Sequence, residues 1–122
     1  MTSAFAVGFA PSAMAREEGS IAGTWSGGGV VVYASGQRER ARCRVTYSGG
    51  GDVFIANASC ASPSGSVNQS ARLHRVGANS FAGNFFNEQY NASGSVSVTV
   101  HGASQSLSLR SSAGSANISL RR

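Results

Sequence analysis

The feature that most constrains this chain is strict alternation. Val96, Val98 and Val100 interleave with Ser95, Ser97 and Thr99, Leu107 and Leu109 with Ser106 and Ser108, and Ile118 and Leu120 with Asn117 and Ser119. A period of two puts each apolar set on one face of an extended strand and each polar set on the other. No stretch carries the helical period. Clusters of Gly, Ser and Asn break the alternation about every ten to twelve residues, the rhythm of a sandwich or barrel.

Eight strands follow: Ile21 to Ala34, bent at Gly27-Gly28-Gly29; Arg38 to Tyr47; Val53 to Cys60; Val67 to Val76; Ser80 to Phe86; Tyr90 to Val100; Gln105 to Arg110; and Ser115 to Arg121. The connections between them are short, which forces sequential antiparallel hairpins. Eight such strands can close on themselves and remove their exposed edges. The expected fold is all-β, a small eight-stranded antiparallel up-and-down barrel. The alternative is an open β-sandwich of the same strands. At 122 residues the chain makes one domain.

The N-terminus reads differently. Thr2 to Ala10 is a short apolar run followed by Pro11 and by Ala13-Met14-Ala15, a small-x-small cleavage pattern. Residues 1–15 are therefore expected to be a signal peptide, cut after Ala15, with 16–20 a tail and 21–122 the barrel. No Lys or Arg precedes the run, so the start of the precursor is expected upstream. The run is too short for a transmembrane helix. In an exported chain an even count of two Cys favours a Cys43–Cys60 disulfide. Its loop would contribute on the order of 3 kcal/mol by constraining the unfolded chain. The expected location is periplasmic or secreted, in a bacterium.

The net charge is +5, from ten Arg, no Lys and five carboxylates. Basic proteins meet anionic partners. Arg38, Arg40, Arg42 and Arg44 share one strand face at about 6.7 Å intervals. With Cys43, Val45 and Tyr47 facing inward, the four form an outer stripe. Arg guanidinium forks match phosphates and carboxylates bidentately. The partners this implies are anionic lipid, lipopolysaccharide, a glycan or an acidic protein surface. The bland reading of the stripe is a solvated face that keeps the barrel soluble. Nucleic acid is not expected, because the chain reads as exported and no aromatic residues interleave with the Arg.

Other chemistry is sparse. His74 and His101 have neither the spacing nor the neighbours of a metal site. There is no G-x-S-x-G elbow, and a bonded Cys43 cannot act as a nucleophile. The glycine triplets at 27–29 and 49–51 lack the Lys-Ser/Thr of a phosphate loop. No cofactor is expected, and the chain reads as non-enzymatic.

Gly23-Thr24-Trp25 opens the first strand and holds the only Trp. Together with eight meander strands, this Gly-x-Trp resembles the calycin superfamily of lipocalins, avidins and small bacterial relatives. The resemblance implies that Gly23 and Trp25 plug one end of the barrel. It further implies that a basic residue of the last strand, Arg121 or its neighbour Arg122, lies across the indole. Neither the second lipocalin motif nor the biotin-site residues of avidins are present. The chain also resembles small Gly/Ser-rich secreted proteins of alphaproteobacteria, a likeness that implies no activity. The readings converge on an exported binding barrel that contacts an anionic envelope component through its Arg-rich strand. The alternatives are a periplasmic inhibitor of a protease or lysozyme, and an accessory subunit of an envelope complex docked through its Ser/Thr face.

Overall fold

A computed structural model describes residues 21–87 and 91–122. The expected signal peptide and tail lie outside the described residues. Eight strands run in order: β1 (Gly23–Tyr33), β2 (Arg38–Gly50), β3 (Val53–Ser62), β4 (Gly65–Gly77), β5 (Ser80–Asn87), β6 (Ala92–His101), β7 (Ser104–Ser111) and β8 (Gly114–Arg121). Each pairs antiparallel with the next, and β1 pairs with β8, so the sheet is a closed barrel rather than an open sandwich. Closure satisfies the edges that eight short, smooth strands would otherwise expose.

The largest difference from the expected elements is at the end of β2. The strand continues past Tyr47 to Gly50, because Gly49 and Gly50 pair with Phe54 and Val53. Gly49 adopts φ +118 within the ladder, and Gly51 (φ +65) with Asp52 makes the turn. A residue with a side chain would be strained at either position.

The β1 glycines bring strands together. A Cβ at Gly27 or Gly29 would collide with the carbonyl oxygens of Ser119 and Asn117 on β8. Such residues let a sheet coil tightly enough to close a small barrel.

Alternation fills the interior. Trp25, Val45, Tyr47, Phe54, Leu73, Phe81, Val98, Leu107, Ile118 and Leu120 are all buried there. Phe54 and Phe81 meet edge to face, with centroids 5.5 Å apart. Arg75 lies over the Phe81 ring at 4.8 Å and forms an ion pair with Asp52 at 3.1 Å. It also donates to the Ala78 carbonyl, so it ties the β2–β3 and β4–β5 turns together at this end.

Trp25 closes the same end. Its Nε1 donates to the Ile21 carbonyl at 3.0 Å. The guanidinium over the indole belongs to Arg122, 4.3 Å from the ring centroid, and it also donates to the Ala22 carbonyl. Arg121 does not take this role. It follows the inward Leu120, so alternation turns it outward and leaves it exposed.

Candidate binding surface

The four arginines of β2 are all exposed, while Ala41, Cys43, Val45 and Tyr47 between and beyond them are buried. Their outer-face neighbours come from register. Arg44 lies between Ser26 and Ser59, Arg42 between Gly28 and Ala61, and Arg40 beside Val30. None of these neighbours is acidic.

The two carboxylates among the described residues are engaged elsewhere. Asp52 is held by Arg75 at the Trp25 end. Glu39 sits between Arg38 and Arg40 in sequence but alternates onto the other side of the strand. There it accepts hydrogen bonds from Tyr33 Oη at 3.1 Å, Gln37 Nε2 at 3.4 Å and the Ser64 hydroxyl. The Ser64 hydroxyl above all holds its carboxyl below the usual range. The stripe therefore faces solvent with its charge not offset by either described carboxylate.

Arg72 and Arg110 are also exposed but do not extend the stripe. Arg72 stands beside Ile55 and Asn84, and Arg110 beside Ser95 and Ser115.

The stripe borders a concave outer surface. One concavity of about 690 Å³ lies against Arg44, Thr46, Asn57, Asn68, Ser70 and Phe86. A second, of about 440 Å³, shares Arg44, Ser59 and Asn68 and reaches Arg42 and Ser26. Two rows of paired residues build the floor. Arg44, Ser59 and Asn68 make one row, and Thr46, Asn57, Ser70 and Phe86 the other. Ser59 Oγ donates to Asn68 Oδ1 at 2.7 Å, and Ser70 Oγ donates to Asn57 Oδ1 at 2.8 Å. Each serine thus occupies an amide oxygen, which leaves the amide N–H groups of Asn57 and Asn68 as donors beside the Arg44 guanidinium. Phe86 ends the surface with 53% of its area exposed.

Behind this face lies the disulfide. Cys43 and Cys60 are directly opposed across β2 and β3 and are bonded. The bond staples the strand carrying Arg42 and Arg44 to the strand carrying Ser59.

The rest of the surface offers less. The outer face of β6–β8 presents Ser95, Ser97, Ser106, Asn117 and Ser119, with Arg110 and Arg121 as its strand charges. Among the described residues no group of three His, Cys, Asp or Glu could hold a metal. No helix among them is long and apolar enough to cross a membrane.

Inside, away from the Trp25 end, the barrel is lined by the half-buried Val31, Ala58, Cys60, Ala71, Leu109 and Ala116. Asn87, buried, donates to Gln69 Oε1 at 3.0 Å there.

Nothing in the sequence marks Asn57, Ser59, Asn68, Ser70 and Phe86 as one surface. Alternation alone would have put Phe86 outside once Phe85 is inside. The Asn–Ser pairs depend on register, which single-strand patterns do not carry.

No protein-family model matches the chain, and no curated protein matches it. Solved structures do resemble it. A de novo designed fluorescence-activating β-barrel superposes with a TM-score of 0.62 at 15% identity, covering 84% of this chain and 93% of that one. A redesigned β-barrel reaches a TM-score of 0.64 at 11% identity, covering 84% and 90%. At such identities the likeness is one of fold, that of a β-barrel.

Proposed function

We propose that the protein is an exported, non-enzymatic barrel that binds an anionic component of the cell envelope through Arg38, Arg40, Arg42 and Arg44. One observation carries the reading. Four exposed guanidinium groups line one strand, and both described carboxylates are bonded to other residues. A row of exposed guanidinium groups attracts anions over a Debye length of about 8 Å at physiological salt. Export is supported by the leader-like first fifteen residues and by the Cys43–Cys60 disulfide, which suits an oxidising compartment.

The test is retention on anionic probes, namely phosphatidylglycerol vesicles, lipopolysaccharide and a polyuronate. Arg42→Ser/Arg44→Ser should lose most retention on whichever probe the native protein binds. Stability should move by less than about 0.5 kcal/mol, as for exposed positions generally. Raised salt should weaken the native protein's binding in parallel. A native protein that binds none of the three, or a variant that binds as well as native, overturns the proposal.

A further inference from the structure

We infer that the ligand of this face is an acidic glycan, a chain of uronate-type sugars lying across β2 to β5. The inference rests on the anion-binding reading and adds the ligand class. The stripe alone would suit any anion. The surface beside it is more selective, for three reasons.

The first is shape. The two concavities share Arg44, Ser59 and Asn68 and so form one trough. From β2 to β5 it crosses three strand spacings, roughly 14 Å. That is an extended site for a short oligosaccharide rather than a spot for one ion.

The second is hydrogen-bond polarity. Because Ser59 and Ser70 cap the amide oxygens of Asn68 and Asn57, the amides offer N–H donors in the same trough as Arg44. Planar donors of this sort fit sugar hydroxyl and ring oxygens, and a guanidinium fork fits the carboxylate. A lipid surface also offers hydroxyl and ester oxygens, but not in one covalent file that alternates them with carboxylates along a trough.

The third is Phe86. It is exposed in the row of Thr46, Asn57 and Ser70, at the end of the trough away from Arg44. A lone aromatic face beside polar donors suits the C–H face of a pyranose ring.

The test uses the full chain and three probes: an oligogalacturonate, its methyl-esterified neutral form, and phosphatidylglycerol vesicles. Titration calorimetry should show binding to the oligogalacturonate and at least tenfold weaker binding to the ester. Phe86→Ala and Asn57→Ala/Asn68→Ala should each weaken oligogalacturonate binding severalfold at an unchanged melting temperature. Arg42→Ser/Arg44→Ser should abolish it. Binding to vesicles without binding to the oligogalacturonate would overturn the glycan assignment and leave the anion-binding reading standing. Binding to none of the probes would overturn both. Oligogalacturonate binding indifferent to Phe86, Asn57 and Asn68 would also overturn the assignment, since plain charge attraction would then account for it.

Discussion

The two halves of the barrel interior are built from the same alternation and filled very differently. At the Trp25 end, Trp25, Tyr47, Phe54, Leu73, Phe81 and Leu120 are almost wholly buried. Two stacked arginines and an ion pair close over them. At the other end Ala41, Cys43, Phe85 and Ala92 are buried too, but Val31, Ala58, Cys60, Ala71, Leu109 and Ala116 are only half-buried and most of them are small. Burial contributes about 25 cal/mol for each Å² of apolar surface removed from water. Stability is therefore concentrated in the aromatic half, and the disulfide and surface hydrogen bonds brace the other. The Arg44–Phe86 trough lies on the outward face of strands whose inward residues include Val45, Ala58, Gln69 and Phe85. It can vary its side chains without touching the packed core.

The sharpest way to break this comparison is Trp25→Ala against Leu109→Ala. Trp25 is 0% exposed, donates to Ile21 and carries Arg122 on its face. Its removal should cost about 3–5 kcal/mol. That is a large share of the roughly 5–15 kcal/mol that holds a domain folded. Leu109 shares its half with small, half-buried neighbours and should cost under about 2 kcal/mol, because less area leaves water. Urea denaturation of both variants gives the two values. Equal losses would show that the interior is uniform and that the division into halves is wrong.

The aromatic half has a polar strut within it, and this offers a second test. Tyr47 Oη donates to Gln105 Oε1 at 2.5 Å, with both residues buried, while Gln105 Nε2 finds no acceptor among the described residues. Tyr47→Phe would strand the amide oxygen as well and should cost about 1–3 kcal/mol. Tyr47→Phe/Gln105→Leu should recover much of it, since removing both polar partners is close to neutral. Burial also pushes the Tyr47 phenol well above its ordinary value. The neutral form is thus favoured in the folded state, and the unfolded chain ionises first, near pH 10. Stability is full below that pH and falls as pH rises above it. Tyr47→Phe should lose this part of the alkaline decline, and a decline identical to native would remove the strut from the account.

How far the sequence foretells these features depends on their range. The eight strands, their closure and the outward face of Arg38–Arg44 follow from a two-residue period and short turns, which are local. Arg121 and Arg122 were equivalent until the inward Leu120 set the phase for both. The Tyr47–Gln105 strut joins residues 58 apart in sequence, and no local pattern announces it. The trough is also non-local. Its Asn–Ser pairs exist because the β3–β4 ladder sets Asn57 opposite Ser70 and Ser59 opposite Asn68, while the β2–β3 ladder brings Thr46 and Arg44 beside them. A one-residue slip there would move them to the inside.

The smallest effect is expected at the rim of the lightly packed half. Glu39 joins Tyr33 on β1 to Ser64 in the β3–β4 turn, across elements that little apolar packing unites. Hydrogen bonding, chiefly from Ser64, lowers its pKa in the folded state. The unfolded chain therefore takes up the proton first, near pH 4.3. The contribution of Glu39 is present above that value and fades as pH falls through the lower folded value. Because the carboxylate lies at the solvent-exposed rim, the consequence should be local rather than global. The protection factor of the Ser64 amide, which also faces Glu39, should fall in acid, measured against the free-chain exchange rate at the same pH, while the amides around Phe54 and Leu73 stay protected. Glu39→Gln should show the lowered Ser64 protection factor already at neutral pH, with no further fall in acid. If acid instead released the Phe54 and Leu73 amides together with Ser64, the barrel would open as one unit, and the distinction between its halves would be one of packing but not of stability.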